Sequence, residues 1–331
     1  MSRKPNIVLV AADGVGFADV GYNSAAGGIP TPSIDDLSAQ GIRLNRNYVQ
    51  SAATSSRASL LTGRYASNTG ITRDIPAGSL IGLPEGVQTL PEVLKSLGYS
   101  TSMAGVWGLG HSQWGVCPTG KGFEEFTGSF TTGIDSETKS FHSTPWGAGG
   151  LDWIQAHDNG HYSHVLPMKL AADAISTEAQ RMIKSHADVD ADKPLFLYVS
   201  YSTVSQYDPK FQRECSRIPN LWRRQHCTAI AAIDEGVGAI AAAAEAALGE
   251  DTILIFTSTN GGSPWSGGLN APYRGAGGST LEGGIRVPAF VTDLSPDGRY
   301  LGSGNWSYNG MTHISDWFPS LISLAKGSVA S

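Results

Sequence analysis

Continuous apolar segments recur along the chain, and each is followed by a loop that contains glycine or small polar residues. Residues 6–12, with the sequence NIVLVAA, form the first such segment, and residues 194–200 and 252–258 repeat the pattern. An apolar run without polar alternation is typical of a strand that is buried on both faces, as in a parallel sheet. We therefore predict a sheet that is covered on both sides.

Helical segments lie between the predicted strands. Ser33 follows Pro32 and is predicted to be the N-cap of a short helix, and Gly98 ends a helix predicted over residues 87–97. The remaining predictions are strands over 42–49 and 99–104 and helices over about 56–61, 168–185 and 221–248. Strands that alternate with helices predict one α/β domain, whose functional residues gather in the loops that follow the strands.

Composition and charge argue against two classes of partner. The 331 residues are 40% hydrophobic and 16% charged, and the formal net charge is −6. No run of Lys and Arg is present, so a nucleic-acid partner is not expected. No window approaches the roughly 20 apolar residues of a membrane span, so a membrane partner is not expected either.

The start of the chain and its cysteines bear on the cellular compartment. Residues 1–4 lead directly into the first predicted strand without an apolar targeting region. We expect either a cytosolic protein or one from which a leader has been removed. Cys215 and Cys227 flank a short segment, and they either form a disulfide, which leaves Cys117 free, or remain reduced thiols.

Two groups of side chains suggest further sites. His157, His161 and His164 have the spacing of a metal site on a helix, but the Asn-Gly pair at 159–160 favours a turn, so we predict a solvated loop. Four tryptophans suggest a carbohydrate cleft, although packing in the core or on the surface is the default interpretation: Trp146, Trp153, Trp222 and Trp265.

Seven motifs follow one another in the loops and the elements that flank them. They are Asn6 to Gly21 (NIVLVAADGVGFADVG), Tyr48 to Arg64 (YVQSAATSSRASLLTGR), Gly82 to Gly98 (GLPEGVQTLPEVLKSLG), Gly105 to Gly110 (GVWGLG), Phe256 to Gly262 (FTSTNGG), Arg274 to Pro288 (RGAGGSTLEGGIRVP) and Thr312 to Gly327 (THISDWFPSLISLAKG). In order and spacing they resemble the signatures of the sulfatase family, and in particular those of arylsulfatase B-like enzymes. The resemblance covers residues 5–327, and seven motifs in register are a strong signal.

The resemblance implies a fold. Sulfatases have the alkaline-phosphatase-like α/β fold, a three-layer sandwich with a mixed, mostly parallel central sheet. Residues 1–331 are then expected to form a single domain of the catalytic type, and the smaller C-terminal subdomain of the family is expected to be absent. Asp19 also follows the family pattern, and we predict that it is a structural hydrogen-bond acceptor.

The chemistry of the family requires a calcium ion, a nucleophile and cationic groups. Calcium binds about six to eight oxygens, several of them from carboxylates. The nucleophile is a formylglycine made from Cys or Ser, and its hydrate attacks sulfur. Lys, His and Arg side chains hold the sulfate oxygens and protonate the leaving group.

The metal positions are incomplete in this chain. The paired aspartates of the family fall on Asp13 and Gly14, and its later Asp-Asn pair falls on Thr259 and Asn260. Asp13 and Asn260 are retained, with the Thr259 hydroxyl as a weak candidate ligand. One carboxylate is a poor match for a divalent ion that must lose its water, so we expect weak or absent calcium binding and no other cofactor.

The nucleophile motif, Cys/Ser-x-Pro-x-Arg, falls on residues 53–57. Ala53 has no heteroatom and cannot become formylglycine, and Ser55 replaces the proline of the motif. Thr54 or Ser55 replaces the nucleophile only if the loop shifts and a base activates the hydroxyl. We favour Ser55 and Ser56 as the N-cap of a helix.

Most cationic positions are lost as well. The Lys-Trp-His element of the family falls on Val106, Trp107 and Gly108, its later histidine falls on Ser205, and its last lysine falls on Gly277. Arg57 is retained. Because charges of both signs are lost together, the costly isolation of a buried charge is avoided, and we predict a salt bridge between Asp13 and Arg57.

Three functions are consistent with these residues. We favour a catalytically inactive sulfatase homologue, either a natural pseudoenzyme or a redesigned scaffold. The second is a weak hydrolase of sulfate or phosphate esters that uses Thr54 or Ser55 as the nucleophile. The third is a protein that binds a sulfated or other glycan, or a small anion, with Arg57 as the anchor.

We predict that Ala53→Cys alone restores no measurable sulfatase turnover, because the metal position at 14 and the lysine positions at 106 and 277 remain substituted. The measurement is hydrolysis of an aryl sulfate by the purified variant, expressed together with the formylglycine-generating enzyme. Robust turnover by this single variant would contradict the interpretation of the other positions.

Overall fold

A mixed sheet of ten strands forms the middle of the protein. The computed structural model describes residues 4–24, 28–135, 137–142, 149–165, 170–202, 207–249, 251–295, 297–302 and 306–326. Across the sheet the strands are β13 (Trp306–Tyr308), β2 (Ile42–Leu44), β12 (Ala289–Asp293), β11 (Thr252–Ser258), β1 (Asn6–Ala12), β10 (Leu195–Tyr201), β4 (Ser100–Val106), β5 (Glu125–Ser129), β8 (Ile154–His157) and β9 (Tyr162–His164). The central strands from β11 to β5 are parallel, whereas β12, β8 and β9 pair in antiparallel fashion.

Helices cover both faces of this sheet. They are α1 (Pro32–Gln40), α2 (Ala53–Thr62), α3 (Ala66–Thr69), α4 (Leu90–Ser96), α5 (Ala171–Val189), α6 (Leu221–Leu248), α7 (Glu282–Ile285) and α8 (Trp317–Lys326). Two small sheets pair β3 (Asn47–Tyr48) with β14 (Thr312–His313) and β6 (Ser140–His142) with β7 (Gly149–Leu151). Residues of α1, α5 and α6 belong to one apolar cluster and residues of α2, α4 and α8 to another. The predicted three-layer α/β sandwich is confirmed, while the expected extent of a single catalytic-type domain stays a prediction.

The position of β1 between two layers of helices explains why its sequence is apolar throughout. Ile7 and Leu9 pack with the cluster of α2, α4 and α8, whereas Val8 and Val10 pack with the cluster of α1, α5 and α6. All four side chains are fully buried. A strand that is covered on both faces needs apolar residues at every position, and this is the pattern that predicted it.

The predictions that serines are the N-caps of α1 and α2 are wrong, because other residues occupy the N-cap positions. Helix α2 starts at Ala53 with Ala52 as its N-cap, so Ser55 and Ser56 lie inside the helix. The N-cap of α1 is Thr31, not Ser33. Asp234 on α6 accepts hydrogen bonds from the Ile34 amide at 2.8 Å and the Ser33 amide at 3.2 Å. A carboxylate from another helix therefore satisfies donors that a local cap usually satisfies.

Several predicted elements differ in extent. The strand predicted over 42–49 is two short strands, β2 and β3, and α5 begins at Ala171 rather than 168, which lies outside the described residues. His157 and His164 lie on the hairpin of β8 and β9, so the prediction of a solvated loop is wrong for these two residues. The predicted Asn-Gly turn connects these strands, and β9 is exposed.

Helix α6 is long and apolar. By length and composition it passes a test for a membrane span, which corrects the expectation that no window approaches one. However, 72% of its most apolar window is buried inside the protein, as in a core helix. Cys227 on this helix forms a disulfide with Cys215, at a Cα–Cα distance of 5.9 Å, and Cys117 is a buried free thiol.

Candidate functional site

The loops after the parallel strands meet at one edge of the sheet and enclose a cavity of about 420 Å³. The carboxyl ends of parallel strands lie at the same edge, which is why residues so distant in sequence come together. The sequence analysis singled out five of the residues that line this cavity: Asp13, Gly14, Ala53, Asn260 and Gly277. Arg57, Thr259, Val106 and Gly108 are buried just behind the wall of the cavity. Ser205 lies outside the described residues.

An ion pair between Asp13 and Arg57 occupies the base of the site. Arg57 donates from Nη2 to Asp13 Oδ2, which confirms the predicted salt bridge. The other carboxylate oxygen, Oδ1, accepts from the Thr259 hydroxyl at 2.6 Å. The main chain of Asp13 is fixed too, because its N–H donates to the Tyr201 carbonyl at 2.9 Å. Both oxygens of the retained carboxylate are therefore already engaged by donors from this chain.

Helix α2 carries Arg57 from the opposite side of the site. The side chain of Arg57 is 0% exposed, and its Nε donates to Ser200 Oγ at 3.1 Å. Burial opposes the charge of Arg57, but the neighbouring Asp13 carboxylate favours it, and the pKa of the guanidinium is raised. The third nitrogen, Nη1, has no hydrogen-bond partner among the described residues. Arg57 is thus held as a structural cation beneath the cavity, and it does not line the cavity.

At the positions that the family resemblance implies for the metal, the only carboxylate is that of Asp13. Gly14 offers no side-chain oxygen, and its φ of 64° is a left-handed conformation that suits glycine. Asn260 Oδ1 accepts from the Gly14 amide at 3.2 Å, and Asn260 Nδ2 donates to the Gly261 carbonyl at 2.9 Å. Arg57 lies against the Asp13 carboxylate, where it would repel a divalent cation. Within the described ranges, no group of three or more His, Cys, Asp or Glu side chains is placed to hold a metal ion.

Ala53, which the family resemblance places at the nucleophile position, supplies a methyl group at the start of α2. Ala53 is the first residue of the helix and lines the cavity. The neighbouring side chains of Thr54 and Ser55 are buried, at 0% and 1% exposure. Neither hydroxyl has a hydrogen-bond partner in the described part of the chain, so no base is in place to activate it.

Two of the former cationic positions now have backbones that disfavour a side chain. Gly108 has a φ of +71°, and a Cβ there would lie 3.0 Å from Thr132 Cγ2. A Cβ on Gly277 would lie 2.5 Å from the Gly261 carbonyl oxygen and 2.7 Å from Asn260 Nδ2. At 277 the contact is with main-chain atoms, so a lysine there requires the loop to move, whereas at 108 the left-handed backbone conformation disfavours a histidine.

The tryptophan between the lost cationic positions keeps a structural role. Trp107 is fully buried, and its indole N–H donates to the carbonyls of Gly110 at 3.0 Å and Val116 at 2.9 Å. Val106, at the end of β4, is buried with it in the sheet. Trp107 and Val106 therefore contribute to the fold of this loop.

Asp19 is a structural acceptor, as predicted. Its carboxylate accepts from the Gly16 amide at 2.7 Å and the Leu269 amide at 3.0 Å, and it pairs with Arg223. His226 Nε2 lies 2.9 Å from Asp19 Oδ2. Burial opposes the charge of Asp19, but His226 and Arg223 outweigh it, and the pKa of the carboxyl is lowered. Four contacts fix this carboxylate between loops that border the cavity.

The sequence analysis missed Asp74. This exposed residue lines the cavity and accepts from the Thr54 amide at 3.3 Å, at the N-terminus of α2. Free amides at a helix N-terminus otherwise attract anions, so this carboxylate occupies a position that favours a negative charge. Asp74 follows no strand and belongs to no periodic pattern, and no local signal in the sequence marks it.

Comparisons with known proteins agree with this fold. The family model described as Sulfatase matches residues 5–328, and the chain belongs to the sulfatase family. Arylsulfatase J of Mus musculus is 35% identical over 339 residues, which cover 99% of this chain and 54% of that protein. Arylsulfatase A of Homo sapiens is 33% identical over 316 residues, which cover 88% of this chain and 59% of that protein. The chain thus spans little more than half the length of these relatives.

Solved structures show the same architecture. The crystal structure of Ps i-CgsB in complex with k-i-k-neocarrahexaose has a TM-score of 0.87 and 29% identity, and the match covers 99% of this chain and 73% of that one. The PsFucS1 sulfatase from Pseudoalteromonas sp. has a TM-score of 0.82 and 27% identity, with 98% of this chain and 68% of that chain covered. This chain is therefore a sulfatase-fold protein that resembles arylsulfatases.

We expect substitutions of Asp13 and Arg57 to be strongly coupled in their effect on the free energy of unfolding. Asp13→Asn and Arg57→Met should each lower the free energy of unfolding by about 3–5 kcal/mol, because each leaves a buried charge without its partner. The double variant should lose clearly less than the sum of the two. The measurement is a double-mutant cycle from urea unfolding.

The exposed pair of Lys210 and Glu235 provides the matched control, because both side chains are about half exposed. Its cycle should give a coupling energy below about 1 kcal/mol. Additive effects of Asp13→Asn and Arg57→Met, with no coupling beyond this control, would show that the buried pair does not hold the site together.

Proposed function

We propose that this chain keeps the sulfatase fold but does not hydrolyse sulfate esters. The observation that carries the proposal is the ion pair of Asp13 and Arg57. In a working site of this kind the carboxylate would bind a metal and the cation would face the substrate. Here each satisfies the other, and Ala53 at the nucleophile position supplies only a methyl group.

The missing cations also matter for the transition state of sulfate ester hydrolysis. Hydrolysis of a sulfate ester develops negative charge on the sulfate oxygens and on the leaving group, and cations placed beforehand provide the main stabilisation. Val106 and Gly277 stand where the family has lysines, and Gly108 stands where it has a histidine. The backbone around Gly108 and Gly277 supports the proposal, because a lysine at 277 requires the loop to move and the left-handed conformation at 108 disfavours a histidine.

The alternative of a weak hydrolase is poorly supported. Thr54 and Ser55 are buried, and a buried hydroxyl without a hydrogen-bond partner has neither access to substrate nor a base to remove its proton. Phosphate ester hydrolysis by the same hydroxyls meets the same objection. We therefore rank this function below an inactive homologue.

Binding without turnover is the second candidate function. The cavity of about 420 Å³ remains open although the catalytic groups are gone, and hydroxyl and amide groups line much of it. Ps i-CgsB, which has the same fold, was solved with k-i-k-neocarrahexaose. We infer a saccharide as the ligand class. A sulfated glycan or a small anion anchored by Arg57 is less well supported, because that guanidinium is buried and paired with Asp13.

We expect no turnover of a chromogenic aryl sulfate at high protein concentration, at any point of a calcium series from chelator to millimolar metal. An active arylsulfatase in the same plate verifies the assay. Arg57→Ala is measured beside the unaltered chain, so that activity shared by both can be assigned to a contaminant. Calcium-dependent turnover that Arg57→Ala abolishes would overturn the proposal.

A further inference from the structure

Two exposed tryptophans lie on segments that carry residues of the cavity lining, although neither tryptophan lines the cavity itself. Trp265 is 90% exposed and Trp222 is 58% exposed. Trp265 lies in a short 3₁₀ turn (Pro264–Ser266), and two serines of this segment line the cavity: Ser263, which precedes the turn, and Ser266, which follows Trp265. Trp222 is the second residue of α6. Large aromatic side chains that face solvent beside a cavity are typical of a binding surface rather than of the core.

The backbone under both tryptophans is fixed. The Gly267 amide donates to the Pro264 carbonyl at 3.1 Å, and the Gly268 amide donates to the Ser263 carbonyl at 2.8 Å. Arg223 Nη1 donates to the Gly267 carbonyl at 2.9 Å, which ties the turn to α6. A Cβ on Gly267 would lie 2.3 Å from the Trp222 carbonyl oxygen, so the two segments are in direct contact. The tryptophans are therefore presented by a preorganised surface, which lowers the entropic cost of binding.

The charges around the cavity disfavour an anion. Asp13 is paired with Arg57 at the base of the site. His226 lines the cavity and contacts the Asp19 carboxylate. Asp74 brings a carboxylate to the N-terminus of α2, where a sulfate would otherwise find free amides. An uncharged ligand rich in hydroxyl groups meets no such repulsion, and it can hydrogen-bond with the polar side chains that line the cavity.

We propose that Trp222 and Trp265 form a stacking platform for an uncharged saccharide, one sugar of which enters the cavity. The apolar C–H face of a pyranose ring packs on an aromatic face, while its hydroxyls bond to polar groups at the edge. The serines on either side of Trp265 place hydroxyls where the sugar passes from the platform into the cavity. This inference rests on the second candidate function, that the cavity binds without turnover.

The test is an array of neutral oligosaccharides, each paired with its chemically sulfated derivative, followed by calorimetric titration of the best ligand. We expect neutral members to bind better than their sulfated partners. Trp265→Ala and Trp222→Ala should each weaken binding about tenfold or more, as truncation of a central aromatic residue does. Trp265→Phe should retain most of the affinity. The melting temperature should change little in all three variants, because both side chains are exposed.

Trp306→Ala is the matched control, since Trp306 is 59% exposed on the edge strand β13 and no residue of that strand lines the cavity. This variant should bind as the unaltered chain does. The inference is overturned if no neutral member binds, if the sulfated members bind better, or if Trp265→Ala and Trp222→Ala bind normally. It is also overturned if either variant changes the oligomeric state instead, because the surface would then be an interface between copies.

The aryl sulfate assay on the same preparation separates the two proposals. Turnover contradicts the proposed loss of hydrolysis, whatever the array shows. Absence of turnover together with absence of saccharide binding contradicts the tryptophan platform and the second candidate function, but agrees with the proposed loss of hydrolysis.

Discussion

The buried ion pair of Asp13 and Arg57 is the interaction on which the rest of the site depends. It joins the end of β1 to α2, and Ser200 and Thr259 bond to it from the neighbouring strands β10 and β11. Taking two charges out of water is costly, and the cost is offset only when the pair is close and its remaining hydrogen bonds are largely satisfied. The two charges of the site therefore neutralise each other, and little charge is left to bind a metal or a sulfate group.

The backbone around the ion pair also disfavours additional side chains. Gly14 and Gly108 have left-handed conformations, and Gly277 is packed so closely that a side chain would meet the main chain of a neighbouring loop. Glycine therefore suits the backbone at each of these positions. The apolar layers beneath the site are complete on both faces of the sheet. The requirements of folding are thus met independently of those of catalysis.

Sequence reasoning predicted the parts of this structure that depend on local pattern or on a shared motif. The buried strands, the three layers and the Asp13–Arg57 pair follow from apolar runs and from the positions of the family motifs. It failed where a distant group replaces a local one. Asp234 on α6 caps α1 in place of Ser33, and Asp74 bonds to the N-terminus of α2 from a loop without periodicity. Such contacts are decided by tertiary packing, which no window of sequence contains.

The most direct test of this account is calcium binding, because the paired carboxylate is the group that a metal would need. Thermal unfolding is compared in excess chelator and in a calcium series up to the millimolar range, with calorimetric titration of the same samples. The account predicts an unchanged melting temperature and no saturable heat. A saturable rise in melting temperature, worth about 2.7 kcal/mol at a hundredfold excess over Kd, would mean that calcium displaces Arg57 from Asp13 and would contradict it.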